Sequence, residues 1–152
     1  DEIISAQNIY NTGNEAFDGI LNFYAEKYMN KGLELVVSVV IPENLKINIY
    51  DVNIILGNLL DNAIEAAGAT DEKVLKGFIT LEQGILKLRF TNSYKKEAEQ
   101  QEGKRHIKKN RQHSGIGLKN VQEIVDKYNG IMKITEGQYF DIRVLLYVSK
   151  EE

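Results

Sequence analysis

Three stretches of the chain carry apolar side chains at helical spacing, and five shorter ones are β-branched or alternate. In the first helical stretch Phe17, Ile20, Leu21, Tyr24, Ala25 and Tyr28 recur at i, i+3, i+4, i+7, i+8 and i+11, ahead of Gly32 as a stop. Thr12 and Glu15 have the spacing of a capping box at its start. We read Phe17, Tyr24 and Tyr28 as core rather than docking surface. Residues 51–67 give a second helix, with Leu56, Leu59, Leu60, Ala63, Ile64 and Ala67 on a wide apolar arc ended by Gly68. Leu118–Tyr128 gives a third, with Gly130 as its stop. Residues 1–12 are mildly amphipathic and read as a short helix or the tail of a longer one.

Strands are expected at 33–41, 75–82, 85–91, 131–136 and 139–148, the second and third joined at Gln83-Gly84. Helices alternate with hairpins rather than with single strands, which argues against a parallel doubly wound sheet. The expected fold is α+β, a two-layer α/β sandwich. Three helices would cover one face of a mixed, mostly antiparallel sheet of about five strands.

Composition narrows the chemistry. The 152 residues carry 19 basic and 22 acidic side chains, a formal charge of −3, so wholesale nucleic-acid binding is disfavoured. There is no cysteine, which removes disulfides, thiolate chemistry and cysteine-zinc sites. No apolar run approaches the ~20 residues of a membrane helix, and the start does not resemble a signal peptide. Asp1 in place of Met reads as the start of a piece of a longer protein.

Three polar features stand out. On the middle helix Asn58, Asp61, Asn62 and Glu65 fall within an arc of about 100°, opposite the leucines. A solvated face is one reading. Such faces usually carry Lys, Glu, Gln or Arg, because Asn is a poor helix former. Carboxamide oxygens beside carboxylates suit Mg²⁺, which keeps several waters and bridges to phosphates. The second feature is His113-Ser114-Gly115-Ile116-Gly117-Leu118, directly before a helix. It is either a plain junction capped by Ser114 or a phosphate cradle of glycine backbone and helix N–H groups. The third is the charged segment 95–114, with Lys104, Arg105, Lys108, Lys109 and Arg111 in eight positions free of acid. It reads as a solubilising loop or, hinged beside the glycines, as a lid over a triphosphate.

Together these residues resemble the Bergerat-type (GHKL) ATP-binding domain of histidine kinases, type II topoisomerases, a class of heat-shock chaperones and mismatch-repair ATPases. Asn58-Leu59-Leu60-Asp61-Asn62-Ala63-Ile64-Glu65-Ala66 is similar to that family's N box, and Gly115-Ile116-Gly117-Leu118-Lys119-Asn120-Val121 to its second glycine box. With Thr12-Gly13-Asn14 upstream, both look most like the Agr-type, peptide-sensing branch of bacterial sensor kinases. The resemblance implies ATP and Mg²⁺ as cofactors. Asn62 matches the metal-coordinating Asn, and Asn58 the second polar position, where the ATPases keep a catalytic Glu. An Asn there cannot deprotonate water, which points to phosphoryl transfer rather than hydrolysis. Gly115 and Gly117 match the glycines that wrap the phosphates, with Ile116, Leu118 and His113 around them and Lys119 as a phosphate-side cation.

Two positions depart from the general pattern. Where most members use Asp to bind the adenine amino group, this chain has Asn92, as the peptide-sensing branch typically does. Three residues after Asn62, many kinases carry a cation, but here the residue is Glu65. No His precedes Asn58, so the phospho-acceptor expected upstream is missing. The expectation is therefore the catalytic domain (13–152, lid about 95–114) of a two-component histidine kinase, with residues 1–12 as the stub of a dimerisation helix. Its implied partners are its own phospho-acceptor domain and a response regulator. The full-length protein would be a membrane-anchored homodimer with this domain in the cytoplasm, and the fragment a monomer unable to autophosphorylate. Two alternatives stay open: an anti-sigma-type serine kinase on the same fold, and a module that has lost nucleotide affinity.

Overall fold

The first helix is set by what precedes it. The computed structural model describes residues 10–96 and 117–148, and α1 runs Glu15–Asn30. Its N-cap is Asn14, whose side chain accepts from the Phe17 N–H, not Thr12 as the capping-box spacing predicts. Thr12 is occupied elsewhere. Its Oγ1 donates to Asp18 Oδ1 (2.8 Å) and accepts from the Asn14 N–H, while the Asp18 carboxylate also takes the Thr12 and Gly13 N–H groups. Gly13, at φ +92°, makes that reversal without a side-chain clash. At the far end Gly32 (φ +77°) closes a Schellman motif, with Leu33 N–H on Tyr28 O and Gly32 N–H on Met29 O.

Residues 10–12 of the expected N-terminal helix are not helical, and residues 1–9 lie outside the described residues. Asn22 exchanges two hydrogen bonds with the Tyr10 backbone, and the Tyr10 hydroxyl donates to Leu35 O and accepts from the Val37 N–H. That pinning leaves no room for a helical ladder there.

Strand β1 is Val36–Val40, and α2 runs Ile49–Gly68 from an Asn48 cap, two residues earlier than the apolar arc suggests. Strands β2 (Leu75–Glu82) and β3 (Ile85–Asn92) form a hairpin whose turn residues Gln83 and Gly84 both have positive φ, as a type I′ turn requires. Helix α3 (117–127) leads to β4 (Ile131–Glu136) and β5 (Phe140–Tyr147). The sheet order is β1-β2-β3-β5-β4. Only β1–β2, joined through α2, is parallel, and the other pairs are antiparallel. The mixed, mostly antiparallel sheet of the expected sandwich is thus the one observed.

One core fills the space between helices and sheet. Phe17, Leu21, Tyr24 and Tyr28 of α1, Leu56, Leu59 and Leu60 of α2, and Val121 and Val125 of α3 meet Ile79, Leu88, Phe90, Ile142 and Val144 of the strands. The α1 tyrosines are therefore core. Their hydroxyls donate to α2 carbonyls, Tyr28 to Leu60 O at 2.6 Å and Tyr24 to Gly57 O at 3.4 Å, so their polar tips are satisfied inside. Burial, reinforced by the Asp61 charge, raises both phenol pKa values.

Candidate nucleotide site

Helix α2 turns its leucines to the core, and its polar edge follows from the 100° step. The four candidate residues on that edge differ in what they touch. Asn58 Nδ2 donates to Ile54 O at 2.7 Å, which leaves its Oδ1, set against the start of α3, free to accept. Asn62, one turn on, is half-buried with no side-chain hydrogen bond among the described residues. Asp61 is engaged by Lys27 of α1 at 3.1 Å and stabilises that helix pair, and Glu65 is exposed. The two carboxamides are therefore the neutral members of the edge with acceptor oxygens to offer, beside the exposed Glu65 carboxylate.

Helix α3 lies antiparallel beside α2 and is held at both ends. At its start, a Cβ on Gly117 would sit 2.9 Å from Asn58 Oδ1, so a larger residue there would push the Asn58 carboxamide aside. At its end, Lys127 Nζ (2.8 Å) and Tyr128 Oη (2.6 Å) both reach Asp51 Oδ2 in the first turn of α2. Asp51 is buried. Burial raises its carboxyl pKa, but the hydrogen bonds from Lys127 and Tyr128 and the lysine charge outweigh that and hold it below the ordinary value. Burial and the same contact push the Tyr128 phenol up to about 12. The latch aims the first N–H groups and positive dipole end of α3 past Asn58, where an anion is favoured.

The third wall is the end of β3. Asn92, 2% exposed, donates through Nδ2 to Ser93 O at 2.8 Å, and its amide oxygen is thereby the group left to accept. Ser93 ties this corner to the end of α2. Its Oγ is 2.8 Å from Thr70 Oγ1 and accepts from the Val74 N–H, and Thr70 Oγ1 in turn donates to Ala67 O.

Residues 47–146, which run from just before the α2 cap almost to the end of strand β5, match a family model described as the GHKL domain. The chain belongs to this family. A curated relative named as a probable C4-dicarboxylate sensor kinase, from Halalkalibacterium halodurans, is 26% identical over 136 residues. That alignment covers 81% of this chain but 26% of the relative. Among solved structures, the catalytic domain of histidine kinase ThkA superposes with a TM-score of 0.65 at 16% identity, covering 90% of this chain and 92% of that one. The Acinetobacter baumannii histidine kinase AdeS gives 0.61 at 15% identity, covering 88% of this chain and 66% of that one. Full-length ShkA in complex with AMPPNP gives 0.63 at 13% identity, covering 93% of this chain and 31% of that one. The fold is that of histidine-kinase catalytic domains.

Within this GHKL domain the structure brings Asn58 to Gly117 and sets Leu118 half-buried against the core, with Lys119 exposed on the first turn of α3. His113, Gly115, Ile116 and lid residues 97–114 lie outside the described residues. Among the described residues no group of three His, Cys, Asp or Glu side chains could hold a metal. A magnesium ion needs no such cage. One or two side-chain oxygens suffice when phosphates and waters complete the shell, and Asn58 and Asn62 fit that donor set. The groove of about 630 Å³ beside β1 is lined by Tyr10–Thr12 and residues 34–37 and 39–41, and none of the described candidate residues borders it.

Asp51, Ser93 and Thr70 are the positions that sequence reasoning missed. Asp51 had a local signal, an acid three residues after the Asn48 cap, but that reads as capping alone. Its partners lie 76 and 77 residues away.

Proposed function

We propose that this GHKL domain is the ATP-binding catalytic domain of a two-component sensor histidine kinase, passing the γ-phosphoryl of Mg·ATP to a histidine on a dimerisation domain. The observation that carries the reading is the pair of half-buried carboxamides one turn apart, Asn58 and Asn62, with the N-terminus of α3 packed directly on the first. Asn62 and Asn58 would hold the metal, which when bound neutralises phosphate charge. The freed N–H groups of Gly117, Leu118 and Lys119, with Gly115, Ile116 and His113 before them, would take the phosphates. The Asn92 oxygen would accept from the adenine amino group. Catalysis would then consist of positioning and charge stabilisation.

An amide at Asn58 has no basicity to activate water, so negligible ATPase turnover is expected. Asn92 and Thr12-Gly13-Asn14 support the Agr-type branch. On this reading the partners are the kinase's own phospho-acceptor helices and a response regulator, in a full-length membrane-anchored homodimer whose catalytic domain is cytoplasmic.

Titration calorimetry with a non-hydrolysable ATP analogue, with and without Mg²⁺, tests the site. Metal-dependent binding that disappears in Asn62→Ala is the expected result. No heat at millimolar nucleotide would instead favour a module that has lost the activity.

A further inference from the structure

The sheet face turned away from the three helices carries an unusual row of side chains. By strand register, Ser38, Phe78, Arg89, Arg143 and Lys133 stand side by side across all five strands. Three neighbouring strands thus place cations directly opposite one another, about 4.8 Å apart per strand. Like charges in that position are destabilising. Arg89 and Arg143 are also the only arginines among the described residues, on a chain whose net charge is −3.

Asp141, in the adjacent row, is what makes the arrangement tolerable. Its Oδ1 accepts from Arg89 Nε (2.9 Å) and Thr91 Oγ1 (2.8 Å), and its Oδ2 from Arg143 Nε (3.0 Å). Burial raises this carboxyl, but the hydrogen bonds from Arg89, Thr91 and Arg143 and the Arg89 charge bring it below the ordinary value. Each arginine commits only Nε to Asp141, which leaves the two Nη groups of each fork for another partner. The arginine side chains remain 47% and 54% exposed while that of Asp141 is 11% exposed. The carboxylate therefore anchors two forks without consuming them. The row itself contains the exposed Phe78, and it is bordered by apolar surface at Val40 and Ile131, also exposed.

We propose that this face docks a protein segment bearing paired Asp or Glu carboxylates with an apolar flank, at a site separate from the nucleotide cleft and independent of its assignment. Two guanidiniums pinned at a fixed spacing match bidentate carboxylates. Phe78 and its apolar neighbours supply the hydrophobic part of such an interface. A lipid surface fits less well. Tethering at Nε holds the forks down on the sheet, whereas a bilayer attracts long cations free to reach outward.

The test uses the 152-residue chain and an amphipathic peptide of Glu and Leu about four helical turns long, with its Lys/Leu counterpart as control. NMR titration should move the amides around Phe78, Arg89, Arg143 and Lys133, and only for the acidic peptide. Arg89→Gln/Arg143→Gln should weaken binding at least tenfold. Because that pair also strips Asp141, the fold-neutral check is Lys133→Gln combined with Lys76→Gln, an exposed lysine that stands opposite Thr91 in the Asp141 row; it should weaken binding severalfold with an unchanged melting temperature. The proposal is overturned if the peptide binds both variants like the wild type, if shifts map to the lid cations instead, or if phosphatidylserine vesicles bind while the peptide does not.

Discussion

Replacing Gly117 by Ala separates nucleotide affinity from stability. The new Cβ would lie 2.9 Å from Asn58 Oδ1, where ordinary carbon–oxygen contacts are about 3.3–3.6 Å, so the carboxamide must retreat by roughly 0.4–0.7 Å. Retreat breaks or stretches the Asn58–Ile54 hydrogen bond, worth about 0.5–1.5 kcal/mol. Ala gains up to about 1 kcal/mol over Gly in helix propensity, so the two effects nearly cancel. In a domain of this size about 1 kcal/mol corresponds to ~2–4 °C, and Tm should move by no more than that. The nucleotide feels only the loss. Displacing an oxygen that serves a charged metal–phosphate group costs at least about 1.4 kcal/mol, or tenfold in Kd. Calorimetry with a non-hydrolysable ATP analogue and Mg²⁺, alongside a thermal melt, reads both quantities. In an Asn58→Ala background the same substitution should cost little further affinity, since the clash has lost its partner. A folded Gly117→Ala protein with wild-type affinity would refute the reasoning, because Asn58 would then have no part in holding the ligand.

Asn92→Asp should not convert the chain into a tighter adenine binder. The new carboxylate would face the Ser93 carbonyl that Asn92 now donates to at 2.8 Å, and a cost of about 1–3 kcal/mol in stability or binding is expected by melt and calorimetry. Asp51→Asn should lower stability by about 1–3 kcal/mol in urea titration, because it weakens the charged acceptor shared by Lys127 and Tyr128. The folded pKa values of Asp51 and Asp141 are depressed, so their contribution is present above the unfolded value near ~3.9 and is lost as pH falls through the folded values. Asp51→Asn should therefore flatten the acid limb of the stability–pH curve. Tyr128 has the opposite sign. Its folded value of about 12 lies above the ordinary 10, so stability fades as pH rises between the two, and Tyr128→Phe should reduce that alkaline loss. Tyr28→Phe removes the second donor on Leu60 O, which keeps its helical bond within α2, and should cost about 0.5–1.5 kcal/mol in the same urea titration.

What the sequence determined by itself was whatever depends on neighbours a few residues apart. Periods of 3.6 and 2, together with the Gln83-Gly84 turn, located three helices and five strands, and the polar edge of α2 follows directly from the 100° step. The tertiary structure decided which of several local options each polar group takes. Thr12 and Asn14 are both competent caps, and the choice fell to Asn14 because Asp18 had already claimed Thr12. Asp61 and Asn62 are adjacent on one helix edge, yet only the first lies within reach of Lys27. The parallel pairing of β1 with β2, the Asp51 latch on α3 and the Arg89–Arg143 row all join residues dozens of positions apart. Such contacts are settled when the apolar faces pack and choose a register. A hydrogen bond or ion pair whose partner is distant in sequence leaves no periodic trace before that packing exists.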